Sequence, residues 1–216
     1  MKKQNKKNFF VAVFMLLAFI LWTSALRIVD VRPIGPDGSF VGFASLNQAV
    51  HKAIGVNMTL YNITDWLGLV PIAVCFGFAL LGLIQWIRRK KLKNVDFSIF
   101  VLGGFYVAVI AVYIIFETVV INYRPVLIDG YLEASYPSST TMLVMCVMPA
   151  AIMQLSERIK NKTVRTVINT AIVIFIAFMV IGRLVSGVHW LSDIMGGVLL
   201  SAGLVMMYYI IVNMKK

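Results

Sequence analysis

The sequence predicts an all-α membrane protein: a six-transmembrane-helix bundle with a short interfacial helix in the first outer loop. Three observations carry this. Of the 216 residues, 60% are hydrophobic and 13% charged, with a mean hydropathy of +0.88, far from the balance of a soluble domain. A hydrocarbon core of ~30 Å needs about 20 apolar residues of helix, and runs of that order recur six times. The lysines and arginines gather in short clusters between those runs, so the net charge of +11 is read as membrane topology, with the bilayer as partner and no nucleic acid.

The expected spans are Phe9–Leu26, Trp66–Ile87, Phe97–Ile121, Thr140–Leu155, Val167–Ser186 and Leu191–Val212. Pro71 and Pro149 fall inside two of them, which membrane helices tolerate when neighbours satisfy the freed carbonyl. The first run follows a basic start, as a secretory signal does. It is nearly long enough to span, however, and Ala25 lacks a small-residue cleavage context, so it is expected to remain as an anchor. Cys75 and Cys146 both lie in apolar runs and read as free thiols packed as small hydrophobes. The Asn-x-Thr triplets at Asn57, Asn62 and Asn161 are short enough to arise by chance.

Basic residues concentrate on the cytoplasmic side of membrane proteins. Here Lys2, Lys3, Lys6 and Lys7 precede the first span, Arg88, Arg89, Lys90, Lys91 and Lys93 follow the second, Arg158, Lys160, Lys162 and Arg165 follow the fourth, and Lys215 and Lys216 end the chain. Only Arg27, Arg32, Lys52, Arg124 and Arg183 are left for the other face. Both termini are therefore expected in the cytoplasm of what reads as a bacterial plasma membrane. The first outer loop, Arg27 to Asp65, opens with turn formers. It then carries Leu46, Ala49, Val50, Ala53 and Ile54 at helical spacing between a candidate cap, Ser45, and Gly55. This is the interfacial helix, and His51 within it reads as a surface residue. With no repeat and no loop large enough for a soluble unit, residues 1–216 form one domain.

Three polar segments interrupt the second half of the chain: ETVVINYRP (Glu117–Pro125), YPSSTT (Tyr136–Thr141) and GRLVSGVHWLSD (Gly182–Asp193). The expected topology brings all three to the outer face. A lone arginine at a span end is ordinarily an anchor that snorkels; three converging segments point to a site. Arg124 and Arg183 supply planar, permanently charged forks for phosphate oxygens, with Ser138 and Ser139 adding donors at a helix start. His189 and Asp193 are four residues apart, so a helix beginning near His189 sets both on one face, where the carboxylate can hold the imidazole tautomer. A neutral, oriented imidazole is a nucleophile or base.

These segments resemble the signature of the type 2 phosphatidic acid phosphatase superfamily, KxxxxxxRP, PSGH and SRxxxxxHxxxD, in order, topology and spacing. Arg124, Pro125, Pro137, Ser138, Arg183, His189 and Asp193 match it. Glu117 stands for the lysine, Ser139 for the glycine, Thr140 for the second-motif histidine and Gly182 for the leading serine. The resemblance implies that His189 attacks phosphorus to give a phosphohistidine and that Asp193 orients it. Arg124, Arg183 and Ser138 would hold the phosphoryl oxygens, with no cofactor or metal. In the family, the histidine that Thr140 replaces protonates the leaving oxygen.

Two functions are then open. One is a membrane phosphatase acting on a lipid phosphate or pyrophosphate at the outer face. The other is a catalytically impaired relative that binds, senses or transports phosphorylated lipid, since Glu117 removes a positive charge and Thr140 removes a proton donor worth typically ~10²–10⁴ in rate. If the enzyme reading holds, the missing acid favours a pyrophosphate such as a polyprenyl carrier. Its leaving group is itself a phosphate, with a second pKa of roughly 6 by analogy with a phosphorylated side chain.

Overall fold

Six apolar helical segments form the bundle in the computed structural model, which describes residues 3–214. Lys2, Lys215 and Lys216 of the basic clusters lie outside the described residues, as does the side chain of Lys3. The helices are α1 (Lys3–Leu26), α2 (Ala44–Ile54), α3 (Met58–Leu67), α4 (Leu69–Arg89), α5 (Phe97–Thr118), α6 (Ser139–Arg158), α7 (Lys162–Val185) and α8 (Leu191–Asn213). The most enclosed are α6 and α8, with α1 laid along α8 and α7 against α6. Between them Phe19, Phe105, Tyr136, Met142, Cys146, Ala150, Leu200 and Tyr208 form a buried core. Phe10, Phe76, Val107 and Ile174 stand exposed on the bundle's flanks, a continuous apolar exterior that matches a lipid solvent and not water.

The second span departs from expectation. Helix begins at Met58 and not at Trp66, and it is broken between α3 and α4 at Gly68. Asn57 starts it, accepting a hydrogen bond from the Leu60 amide at 2.9 Å, so one of the chance triplets is a helix cap. Pro71 breaks it, because a proline has no N–H to give the Leu67 carbonyl one turn earlier. The long first loop therefore ends at Asn57, and Trp66 and Asp65 are helical. The third span also stops short, at Thr118 and not Ile121. The Thr118 hydroxyl turns back onto the Ile114 and Ile115 carbonyls.

The interfacial helix is present as α2, with a different cap. Ser45 lies inside it. Phe43 occupies the cap position in a left-handed conformation (φ 49°), and the Asp30 carboxylate accepts from the Ser45 amide at 2.7 Å. That bond is the largest influence holding Asp30 below the usual carboxylate range, with Arg32 adding to it. Leu46, Ala49 and Ala53 face outward. On the other side Asn47 is fully buried, its amide bonded to Ser192 and the Gly42 carbonyl, so α2 is pinned to the start of α8.

Candidate active site

His189 lies on the tight turn between α7 and α8, and that turn is held from both sides. Gly187 has a φ of +70°, and a Cβ there would stand 2.0 Å from the Gly55 carbonyl oxygen, so neither conformation nor space admits another residue. The Asn57 amide donates to the Ser186 carbonyl at 2.9 Å. His51, half-buried and not a free surface residue, bonds the Gly187 carbonyl through Nε2 at 3.0 Å and packs against Trp190. From the opposite side Trp190 Nε1 donates to the Tyr123 carbonyl at 2.8 Å. The first outer loop and the Arg124 segment thus fix the turn jointly.

At the imidazole the two arginines converge. Arg124 Nη1 is 3.3 Å and Arg183 Nη2 3.2 Å from His189 Nε2. Guanidinium nitrogens only donate, so Nε2 must be the lone-pair acceptor and the ring proton is assigned to Nδ1. Burial, then the charges of Arg124 and Arg183, push the His189 pKa well below its ordinary value, with the Ser135 backbone opposing. The ring is therefore neutral at pH 7, its lone-pair nitrogen facing two cations.

Asp193 does not share a helix face with His189. Helix α8 begins at Leu191, after the histidine, and Asp193 is its third residue. The carboxylate reaches back to cap the helix, accepting from the Trp190 amide at 2.9 Å and from Asn122 Nδ2 at 3.2 Å. Its Oδ2 is 3.8 Å from His189 Nδ1, beyond a hydrogen bond. It sits beside the ring proton as a buried negative charge.

Arg183, 1% exposed, lies in the last turn of α7. Helix α3 meets it with three residues at helical spacing. The Tyr61 ring lies 4.9 Å from its guanidinium carbon, and Thr64 Oγ1 and Asp65 Oδ1 are each 3.5 Å from Nη1. The same ring lies 5.9 Å from Arg124. Arg124 is carried by a hairpin in which Tyr123 bridges Ala134, and its Nε pairs with Glu133 at 2.9 Å. The carboxylate on Arg124 is therefore Glu133. Glu117 stands beside Tyr113 and lines a narrow recess with Ser135 and Ser139.

Ser138, buried, is the cap of α6. Its hydroxyl accepts a long bond from the Thr141 amide (3.5 Å) and its amide donates to the Asp193 carbonyl (3.1 Å). Ser139 and Thr140 follow in the first turn. They line a groove of about 410 Å³ with Asp65, Leu69, Ile72, Ile110, Tyr113 and Leu143. Gly182 has a steric reason, since a Cβ there would come 2.8 Å from Thr64 Cγ2. Thr64 fills the place a serine side chain would take, and its own hydroxyl is the one that reaches Arg183.

Arg124, Arg183, His189, Asp193 and Ser138, expected from the sequence to form the site, are thus gathered in one buried cluster. Sequence reasoning misses Tyr61, Thr64 and Asp65, placing them in a loop or at a span end, and also Asn122 and Glu133. Asn122 has a signal, a lone amide two residues before Arg124. The others have none in the sequence, because their role depends on where α3 and the hairpin fold.

The chain belongs to the PAP2 superfamily, whose family model matches residues 72–216. Its fold is similar to the crystal structure of a transmembrane PAP2-type phosphatidylglycerolphosphate phosphatase from Bacillus subtilis. That match has a TM-score of 0.53 and 19% identity, covering 92% of this chain and 93% of the other. No curated protein matches the sequence. It is an integral membrane protein of six spans, and α3, which packs on Arg183, precedes the matched region.

Proposed function

We propose that this protein is a membrane phosphatase that hydrolyses a lipid phosphate or pyrophosphate at the outer face through a phosphohistidine on His189. The observation that carries the reading is the convergence of Arg124 and Arg183 on Nε2 of a neutral, buried imidazole. A lone pair aimed between two fixed cations suits attack on a phosphorus whose oxygens those cations hold, where preorganised charge does most of the work. As the N–P bond forms the ring becomes positive, and the buried Asp193 carboxylate beside Nδ1 stabilises that charge. The groove beside Thr140 runs between the exposed Leu69, Ile72 and Ile110, an apolar surface that suits a lipid chain held in the bilayer. With threonine at position 140, a pyrophosphate is the substrate that position favours, because its leaving group needs least help from an acid.

The test is phosphate release from a panel of lipid monophosphates and pyrophosphates by detergent-purified protein, with His189→Ala as blank, together with ³²P trapping. Release that depends on His189, with label on that residue, is expected. Lipid binding without label or release on any substrate would replace the enzyme by a binding or sensing protein.

A further inference from the structure

The site as described has a nucleophile and a cradle for phosphoryl oxygens but, with Thr140 in place of the second-motif histidine, no evident donor for the leaving oxygen. The geometry points to Asp65 of α3 as that donor, a proposal that rests on the phosphatase reading above. Among the residues lining the Thr140 groove, Asp65 is the carboxylate. Glu133 is committed to Arg124 on the hairpin, and Glu117 faces the separate recess beneath Ser139. Asp65 is 57% exposed and so open to a ligand in the groove, yet it is tied to the chemistry. One end of the Arg183 guanidinium is 3.5 Å from its Oδ1 and the other is 3.2 Å from His189 Nε2.

Placement suits the role. A phosphorus about 3–3.5 Å from the nucleophile, one P–O bond, and a hydrogen bond of about 2.6–3.2 Å to an acid together need an acid several ångströms beyond Nε2. Asp65 and His189 contact opposite ends of one guanidinium, which sets both beside a phosphoryl group held by Arg183. In the structure Arg183 faces the carboxylate from α7, Tyr61 lies on its own helix and Tyr113 faces the groove from α5. When phosphoryl oxygens occupy the Arg183 fork, Asp65 is released from that pair and faces the departing oxygen; it enters the step as the carboxylic acid, and the proton regained in the second half restores it. His189 Nε2 then forms its bond to phosphorus as the P–O bond to the lipid breaks, and the Asp65 proton passes to the departing oxygen, releasing a neutral alcohol. In the second half, water attacks the phosphohistidine, the Asp65 carboxylate takes a proton from that water, and the N–P electron pair returns to His189 as phosphate leaves.

The consequence is that monoesters are substrates as well as pyrophosphates, and that Asp65 decides the balance. The experiment compares kcat/KM, which reports steps up to departure of the leaving group, for a lipid monophosphate and a lipid pyrophosphate with the full chain in detergent. Asp65→Asn should lower the monophosphate value by about 10²–10⁴ and the pyrophosphate value by less than about tenfold. Asp65→Glu should retain the wild-type balance, and Asp65→Asn with Thr140→His should recover monophosphate turnover. An equal fall on both substrates would mean that Asp65 only positions Arg183, and no fall on either would remove it from the reaction; each overturns the assignment while leaving the phosphatase intact. A wild-type protein inactive on both would overturn the phosphatase reading and this assignment with it.

Discussion

Removing either arginine should weaken phosphate binding in proportion to its burial and not its charge alone. Arg183 and Arg124 are buried, whereas Arg27 is exposed at the end of α1. All three carry the same charge, so Arg27→Ala is the matched control. A charge-assisted hydrogen bond in such surroundings is worth about 1.5–3 kcal/mol net. Arg124→Ala and Arg183→Ala should therefore each raise the Kd for a lipid monophosphate roughly ten- to a hundredfold. The lost pairs with Asp65 and Glu133 add little, because those carboxylates are exposed and such pairs are worth about 0–1 kcal/mol. Lysine at either position keeps the charge and loses the planar fork, so Arg183→Lys should fall between wild type and alanine. Titration of the detergent-purified variants with the lipid measures this, with the thermal midpoint of each recorded to separate binding from folding. Equal effects from Arg27, Arg124 and Arg183, or wild-type affinity in either buried variant, would refute the cradle.

Three further outcomes follow from particular contacts. The lowered pKa of His189 means that the unfolded chain binds its proton first as pH falls below ~6.5. Its contribution should thus be fully present above that pH and lost below, with a slope of up to ~1.4 kcal/mol per pH unit; thermal midpoints at pH 7.5 and 5.5 should differ less in His189→Gln than in wild type, and an unchanged difference would contradict a buried neutral ring. Gly182→Ala drives a Cβ to 2.8 Å from Thr64 Cγ2 and should cost about 1–3 kcal/mol. Thr64→Ser, which deletes that methyl, should recover much of the loss, and strictly additive midpoints would show that the two do not touch. Cysteines introduced at Lys91 and Asp129, both exposed, should differ in labelling by an impermeant reagent on intact cells, with only position 129 reacting; labelling at 91 would reverse the orientation.

Much of the bundle is legible in the sequence because its signals are long and local. A run of some twenty apolar residues needs no tertiary context to be read, and the spans around Pro149 and Phe105 fall within a few residues of their expected bounds. The second span is misread at its start because α3 is half polar: Thr59, Tyr61, Asn62, Thr64 and Asp65 lower the hydropathy of a helix that Asn57 nevertheless caps. Pro71 lies inside the span, as expected, and the interruption between α3 and α4 falls at Gly68 just before it. The His189–Asp193 spacing is correct as a sign of proximity and wrong as geometry, since the capping of α8 by Asp193 requires the helix to start after the histidine. The charge pairing cannot be read from the sequence at all. Arg124 takes Glu133, nine residues on, because a hairpin folds back, and Arg183 meets Asp65 across more than a hundred residues.

The departures from the family signature are not scattered through the site. Arg124, Arg183, His189 and Asp193, which match it, stand on the wall made by the hairpin, α7 and the start of α8. Thr140 and Glu117 stand on the wall made by α5 and α6, one on the groove and one on the recess beside it. Gly182, the departure on the first wall, is met by Thr64, whose methyl occupies the vacated space and whose hydroxyl approaches Arg183 at 3.5 Å. On the proposed reading, the first wall attacks and holds phosphorus and the second receives the leaving group. A chain that had merely lost catalysis would have no chemical reason to keep a buried imidazole between two buried guanidinium groups, an arrangement costly to desolvate. On that reading, the changes at Glu117 and Thr140 on the second wall alter which oxygen can leave and what carries its proton, and so bear on substrate choice.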